Sequence, residues 1–295
     1  MKLLVTGSTG FIGTHLVNRL LKDGHEVHCI LRPAHRDIIQ KGTKTFVYNG
    51  KIEELIAYMK DREINGILHL ASLFLAQHKS EQVSELINSN VLFGTSLLEA
   101  AAQSGVKWFI NTGTFWQHYQ NQPYAPVNLY SATKQAFEDV ATYYREMFPI
   151  NFVTLKLSDT FGPGDKRKKI FAIWLEHAKS KEPLEMSAGE QLIDISFIEN
   201  VIDAYVALID VAAKDSNRLL NGKSFAVKSA QRMSLKDLAE LFQKVTGTKL
   251  NINWGAKPYR PREVMVPWEN GETVPGWKPG ISLEEGMRRT FNLTT

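Results

Sequence analysis

The chain has 295 residues, 43% of them hydrophobic, enough for a large buried core. Its 35 Lys and Arg against 31 Asp and Glu leave a net charge of +4, too small and too dispersed to indicate a nucleic-acid partner. No apolar stretch approaches the roughly 18 residues of a membrane span. One cysteine excludes an intrachain disulfide, and the first residues resemble no secretion signal, so we expect a cytoplasmic protein with no membrane partner.

Short apolar runs alternate with helical patterns through the first half of the chain. Residues 12–21 place apolar side chains at helical spacing and are followed by Gly24, a typical helix stop. The runs predicted to be strands are residues 3–6, 27–31, 45–48, 66–71, 108–111 and 151–157. Strands separated by helices indicate βαβ units, so we predict an α/β fold with a Rossmann-type, doubly wound parallel sheet.

The second half of the chain is less regular, with glycine and proline clusters between shorter patterns. A helix over 195–208 and a strand over 224–227 are expected to rejoin the large sheet. Helical patterns at 235–245 and 283–291 indicate a smaller, discontinuous C-terminal lobe. We assign residues 1–161 and 192–228 to the large domain and residues 162–191 and 229–295 to the lobe. A basic run at 166–169 is typical of a solvated loop, with attraction of phosphates as the alternative.

A glycine loop follows the first strand and opens the first helix. Gly7, Gly10 and Gly13 recur at every third position, which permits a tight turn and a close approach of pyrophosphate to the helix N-terminus. The large domain is therefore predicted to bind a dinucleotide and the lobe to bind the substrate. The expected contacts of the loop with the cofactor are Gly7, Thr9, Gly10, Phe11, Ile12 and Gly13.

The end of the second strand indicates which nicotinamide cofactor binds. NAD sites usually carry Asp or Glu there to hold the ribose hydroxyls, whereas NADP sites offer Arg to the 2′-phosphate. This chain has Arg32 at that point and Arg36 close behind. NADP(H) is therefore favoured, and NAD(H) stays open if Arg32 is only a solvated loop residue.

Tyr130 and Lys134 lie four residues apart in a helical pattern between the fifth and sixth strands, which places them on one helix face. A nearby ammonium favours the phenolate, so we expect it to lower the tyrosine pKa toward the working range of an acid-base catalyst. Thr114, just after the fifth strand, is the candidate hydrogen-bond partner of the reacting oxygen, with Thr112 as the alternative. Ligands of open α/β sheets bind at this edge.

These motifs, with the segments 69–71, 90–100, 161–165 and 276–279, resemble the NAD-dependent epimerase/dehydratase family of extended short-chain dehydrogenases, which act on nucleotide sugars. The similarity spans nearly the whole chain. It implies a nucleotide-sugar substrate and leaves a homodimer open. It also adds cofactor contacts to those of the loop and Lys134, namely Leu70, Ala71, Asn90 and Leu157.

Departures from the family pattern bear on the reaction. Sugar-nucleotide dehydratases carry an Asp-Glu pair where this chain has Phe115 and Trp116, and neither side chain transfers a proton. The resemblance therefore argues against dehydration. The resemblance favours reduction of a nucleotide-linked 4-keto deoxy or dideoxy sugar. The alternatives are a 4-epimerase with tightly bound NAD and a dinucleotide-binding regulator without turnover.

The substrate residues implied by the resemblance are Thr112, Phe115, Trp116, Asp159 and Arg260. Asp159 stands where the family usually has asparagine, and Ile193 stands where it often has an arginine for the diphosphate. Arg260 matches another arginine beside the diphosphate. No histidine or cysteine has metal-ligand spacing, so we predict no metal site.

Overall fold

The strands of the large sheet are short and rich in apolar residues, as expected where helices cover both faces. In the computed structural model, which describes residues 1–180 and 182–293, the strands are β1 (Lys2–Thr6), β2 (Glu26–Leu31), β3 (Lys44–Val47), β4 (Gly66–His69), β5 (Trp108–Thr114), β6 (Asn151–Leu157), β7 (Asp159–Phe161), β8 (Leu184–Met186), β9 (Leu192–Ile193), β10 (Ile195–Phe197), β11 (Ser224–Val227), β12 (Met233–Ser234) and β13 (Ile252–Trp254). The α-helices are α1 (Phe11–Lys22), α2 (Ile52–Arg62), α3 (Val83–Ile87), α4 (Phe93–Ser104), α5 (Leu129–Met147), α6 (Ile170–His177), α7 (Ile198–Lys214), α8 (Leu235–Thr246) and α9 (Leu283–Thr290).

Seven parallel strands form the large sheet in the order β3-β2-β1-β4-β5-β6-β11. The predicted α/β, doubly wound class is therefore confirmed, and the strand at 224–227 does rejoin the sheet beside β6. The order reverses between β1 and β4. Such a reversal opens a crevice at the carboxyl ends of the strands, which is where ligands bind in this architecture.

Helices cover the sheet on both faces. On one face, α1 and α7 pack together and bury side chains such as Leu16 and Tyr205. On the other face, α2, α4 and α5 pack side by side and bury Leu55, Leu97 and Phe137. Burial of a large apolar side chain stabilises a fold by about 1.5–3 kcal/mol, so these two apolar layers hold the strand ends in fixed positions.

Three element boundaries differ from the predictions. The fourth strand ends at His69 rather than at 71, because the Ala71 N–H donates to the Thr6 side chain instead of extending the ladder. The fifth strand continues to Thr114 rather than ending at 111, because it pairs with β6 over its whole length. The helix expected from 195 begins at Ile198, since residues 195–197 form β10, which pairs with β7.

Two distant parts of the second half meet beside the sheet. Strand β8 pairs with β13, which brings residues 184–186 against 252–254. Aromatic rings of α6 and α8 lie nearby in one cluster, with Phe171 stacked on Phe242 at 5.6 Å between ring centroids. This cluster is continuous with the apolar core on one face of the sheet. The division into two domains stays a prediction.

Two classes of feature are missing from the described part of the chain. None of its helices combines the length and the hydropathy needed to cross a bilayer. Within the same residues, no three His, Cys, Asp or Glu side chains are grouped so that they could hold a metal ion.

Candidate active site

The glycine loop turns between β1 and α1 in a backbone conformation that requires glycine. Gly7 has φ of +70°, a region that L-residues rarely adopt. A Cβ on Gly7 would lie 2.7 Å from the Ala71 nitrogen, and one on Gly13 would lie 2.1 Å from the Gly7 oxygen. The loop therefore packs directly against the end of β4 and against the first turn of α1.

This loop presents a helix N-terminus to the crevice. Gly10 is the N-cap of α1 and provides no side-chain cap, so the first N–H groups of the helix lack intrahelical acceptors. Backbone N–H groups and the helix dipole favour an anion there. The residues present thus fit the pyrophosphate of a dinucleotide, with Thr9 in the turn between Gly7 and Gly10.

A cavity of about 670 Å³ opens at the carboxyl edge of the sheet beside this loop. Ile12 in the first turn of α1 and the end of β5 contribute to its wall, as do α5 and the segment after β7. Of the predicted site residues, the cavity is lined by Ile12, Leu70, Thr112, Thr114, Phe115, Trp116, Tyr130, Lys134, Leu157, Asp159 and Arg260. Residues predicted from distant parts of the sequence are therefore brought together.

Tyr130 and Lys134 lie in the first turns of α5. The helix begins at the N-cap Asn128, whose side chain accepts the Ser131 N–H and donates to the carbonyl oxygens of Leu75 and Ala76. This cap fixes the start of α5 against the loop that follows β4. Lys134 is only 1% exposed, yet it lines the cavity.

Burial shifts both titrating groups toward their neutral forms. It raises the pKa of Tyr130 to about 12, although a hydrogen bond with the Ser72 side chain opposes the increase. Burial also lowers the pKa of Lys134 to about 8, against the charge of Glu138. In the protein without cofactor the tyrosine pKa is therefore raised rather than lowered, because desolvation of the phenolate is the largest cause of its shift.

Thr114 is held at both its backbone and its side chain. Its N–H donates to Oε1 of Gln117 at 2.9 Å, and its hydroxyl oxygen accepts the Trp116 N–H at 3.3 Å. Because this contact uses only a lone pair of the Thr114 hydroxyl oxygen, the hydroxyl hydrogen is still available for donation. Thr112, two residues earlier, shares a 2.6 Å hydrogen bond with the buried phenol of Tyr205.

The predicted substrate residues differ in what they present to the cavity. Phe115 is 5% exposed and packs edge-on against Trp268 at 5.5 Å, so most of its ring belongs to a small apolar cluster. Trp116 lies beneath the guanidinium of Arg260, which is 5.9 Å from the ring centroid.

Each carboxylate that lines the cavity has a cationic partner. The pairs are Asp159 with Lys169 at 2.9 Å, Asp194 with Arg232 at 2.8 Å, and Glu263 with Arg260 at 2.9 Å. Ion pairing stabilises the charged form of a carboxylate. Among the residues that the structure describes, the cavity wall thus offers no unpaired carboxylate as a proton-transfer group.

Other predicted cofactor residues are not among those that line the cavity. Arg32 is exposed just after β2, and Arg36 is 3.8 Å from the exposed carboxylate of Asp37. The backbone of Ala71 contacts Gly7, as described above. Phe11 packs its ring against His15 and lies under the guanidinium of Arg167.

Asn90 is buried, and its amide is fully engaged by protein. Its oxygen accepts from the Ser72 hydroxyl and the Leu73 N–H, and its nitrogen donates to the Leu73 carbonyl and the Thr133 hydroxyl. The structure thus places Asn90 where it ties the loop after β4 to α5, away from the cavity wall.

Several cavity residues were missed at the level of sequence. Ser72 follows the end of β4, a position that the carboxyl-edge rule marks. Phe74 lies edge-on to Tyr130 at 5.0 Å and beneath the Lys169 ammonium at 4.6 Å, and no sequence signal identifies it. Arg167 and Lys169 also line the cavity, so the basic run at 166–169 is not merely a solvated loop.

The fold and the glycine loop define the class of extended short-chain dehydrogenases/reductases, which are nicotinamide-dependent enzymes. Residues 3–221 match the NAD dependent epimerase/dehydratase family, and the chain belongs to that family. The family, the fold class and the enzymatic nature predicted from the sequence are thereby confirmed.

Relatives within the family include both synthases and epimerases. The CDP-abequose synthase of Salmonella muenchen is 28% identical, and the match covers 99% of this chain and 97% of that protein. The probable UDP-glucuronate 4-epimerase of Rhizobium meliloti is 22% identical, with 98% and 95% covered. The solved UDP-glucose 4-epimerase of Thermotoga maritima with UDP-glucose has a TM-score of 0.83 at 20% identity, with 99% and 98% covered.

Proposed function

We propose that the chain reduces the C4 ketone of a nucleotide-linked 4-keto deoxy or dideoxy sugar, using NADPH. The observation that carries this proposal is the meeting of Tyr130, Lys134 and Thr114 on one cavity beside the glycine loop. The similarity to CDP-abequose synthase supports a nucleotide sugar as substrate.

The chain's own residues supply the proton and orient the ketone. Thr114 donates its free hydroxyl hydrogen to the ketone oxygen and so polarises the carbonyl. Tyr130 transfers its phenolic proton to that oxygen as negative charge develops there. Lys134 holds the nicotinamide ribose and stabilises the phenolate that remains. When bound, the nicotinamide supplies the hydride to the ketone carbon.

The walls around Tyr130 support a sugar with few hydroxyl groups. Phe74 and Trp116 lie 5.6 Å apart and form an apolar surface beside the phenol. Deoxygenated sugar carbons lose little hydration against such a surface, whereas hydroxyl groups would lose hydrogen bonds to water. The ion-paired carboxylates also argue against a dehydratase, since elimination of water requires a free acid and a free base.

The preference for NADPH is part of the proposal. Thr6 of β1 lies opposite Ile30 of β2, so Arg32 emerges beside the glycine loop. The two residues before Arg32, at the end of β2, are Ile30 and Leu31. Neither is acidic. A cation at this point attracts a 2′-phosphate, whereas the ribose hydroxyls of NAD call for an acceptor.

A 4-epimerase with tightly bound NAD is the second candidate, because several relatives of the family carry that activity. Purified protein would then contain bound cofactor and interconvert two epimers without net consumption of NADPH. Net consumption of NADPH therefore distinguishes the two candidates.

A panel of CDP-, dTDP-, UDP- and GDP-linked 4-keto-6-deoxy sugars tests the proposal directly. We expect the protein to reduce the 4-keto sugars of one nucleotide series. One NADPH should be oxidised for each alcohol formed, as measured by cofactor absorbance and product analysis. Interconversion of the C4 epimers of a nucleotide-linked 4-hydroxy sugar, assayed in parallel and without net cofactor oxidation, would indicate a 4-epimerase instead of a reductase. Absence of both reactions across the panel would refute the proposed function.

We also propose a homodimer formed through α5 and the π-helical segment Asn88–Leu92 that follows α3. Leu92, Tyr143 and Met147 are more than half exposed, at 57%, 58% and 64%, and the two segments that carry them pack against each other. Clustered exposed apolar side chains are typical of an interface. Light scattering of the purified protein should give twice the chain mass, and Met147→Glu should give the monomer mass.

A further inference from the structure

A network of buried polar side chains lies behind Thr114. Its centre is Gln117, which is fully buried in the turn that follows β5. Its Oε1 accepts the Thr114 N–H at 2.9 Å, and its Nε2 donates to Glu138 at 2.9 Å and to Gln135 at 2.8 Å. Gln117 therefore accepts from the end of β5 through its oxygen and donates to α5 through its nitrogen, which links the two elements.

On α5, this link ends on the helix face that carries Tyr130 and Lys134. Glu138 lies four residues after Lys134 and eight after Tyr130, so the three side chains share one face of the helix. Gln117 thus joins the backbone of Thr114 to the helix face that carries the candidate acid and ammonium.

A buried cation holds the other carboxylate oxygen. The Lys156 ammonium is 3.5 Å from Oε2 of Glu138 and 2.9 Å from Nε2 of His118. Burial lowers the pKa of His118 to about 4, so its ring is neutral and accepts from Lys156. Its Nδ1 donates to the Gln122 carbonyl, and the ring stacks on Trp268 at 4.0 Å.

The network cannot be explained by stability alone. Buried ion pairs lose hydration that their attraction only partly restores, and apolar side chains of similar volume are often as stabilising. A fully satisfied polar network does, however, fix one geometry. Here the geometry that it fixes is the distance between the end of β5 and the reactive face of α5.

We propose that Gln117 is a positioning residue for the reaction. By holding the Thr114 backbone to Glu138, it sets the Thr114 hydroxyl at the distance from Tyr130 at which both groups reach one ketone oxygen. Lys156, itself held by His118, orients Glu138 as the acceptor of the Gln117 amide. This inference rests on the proposed function.

The first test is Gln117→Met, which keeps the side-chain volume and removes the hydrogen bonds. We expect kcat to fall about tenfold, as for loss of one well-placed hydrogen bond, with unchanged affinity for NADPH. Amide hydrogen exchange at Thr114 should become faster, because its acceptor is gone. Gln103→Met, on the exposed surface of α4, is the matched control and should change none of these values.

The second test exchanges the amide of Gln117 and the carboxylate of Glu138 between the two positions. It still tests the proposal if Gln117→Met does not fold. Gln117→Glu places two carboxylates together and should lower kcat, whereas Gln117→Glu with Glu138→Gln restores a donor and an acceptor. We expect the double variant to recover most of the lost kcat. A double variant no faster than Gln117→Glu would overturn the positioning role.

Two further outcomes separate this inference from the proposed function. Faster exchange at Thr114 with unchanged kcat in an active enzyme would overturn the positioning role and leave the proposed function intact. A wild-type protein that turns over no 4-keto sugar would refute the proposed function, and the positioning role would fall with it.

Discussion

Alanine substitutions at three glycines separate the folding role of the glycine loop from its role in holding the cofactor. Gly24 has φ of +80° and open space around its Cβ position, whereas Gly7 combines φ of +70° with a Cβ position 2.7 Å from the Ala71 nitrogen. Gly10 has φ of −80°, and its Cβ would lie 3.2 Å from the Gly7 oxygen.

The magnitudes follow from these three environments. Gly24→Ala should lower the free energy of unfolding by about 1 kcal/mol, the cost of left-handed backbone for an L-residue. Gly7→Ala adds overlap with backbone, which costs about 1–3 kcal/mol more. Gly10→Ala should change stability by less than about 1 kcal/mol, because its backbone angles suit alanine and only a small shift of the Gly7 carbonyl is required.

Cofactor affinity should follow a different order from stability. A methyl group on Gly10 occupies the space where pyrophosphate approaches the helix N-terminus, so Gly10→Ala should raise the Kd for NADPH about tenfold or more. Gly24→Ala, far from the loop, should leave this Kd unchanged. Urea unfolding followed by circular dichroism gives the stabilities, and calorimetric titration gives the Kd values.

Either of two results would refute this reasoning. Equal stability of Gly7→Ala and Gly24→Ala would mean that the loop does not pack against the end of β4 as described. Wild-type affinity in Gly10→Ala would mean that the pyrophosphate binds elsewhere.

Three further predictions concern the acid, the cofactor and the ammonium. Tyr130→Phe should lower kcat about a thousandfold with unchanged Kd for NADPH; a binding regulator would instead keep its activity. Arg32→Asp should raise the KM for NADPH and lower that for NADH, and an unchanged ratio would contradict the NADP assignment. Since the Lys134 pKa is about 8, kcat/KM should decline above about pH 8, where the ammonium loses its proton. Lys134→Met should abolish activity yet stabilise the fold at pH 7 by up to about 3 kcal/mol. The unfolded chain binds this proton up to pH 10.5, so wild-type stability should rise between about pH 8 and 10.5, and the variant should lose that dependence.

The sheet could be predicted because its signals are local. Apolar runs bounded by turns identify strands, and the glycines at 7, 10 and 13 identify the first crossover. The length of β5 could not be read this way. Thr112 and Thr114 belong to the strand because β6 pairs with it through Leu157, and that register depends on the whole sheet.

The candidate site was predictable where residues follow strand ends. Tyr130, Lys134 and Thr114 meet because the carboxyl ends of parallel strands share one edge. Phe74, Arg167 and Lys169 come from loops whose paths are set by tertiary contacts, such as the bonds from Asn128 that hold the loop after β4. A short motif carries no information about such paths.

Burial around the cavity shifts the pKa values of its two titrating groups in opposite directions. Removing a lysine from water lowers its pKa, and removing a tyrosine raises its pKa, so the protein alone favours the uncharged form of both groups. The proposed reduction of a ketone begins with a neutral phenol as the proton donor. In that reaction the form of Tyr130 that burial stabilises is the form that is used, whereas the Lys134 ammonium must persist against the same desolvation.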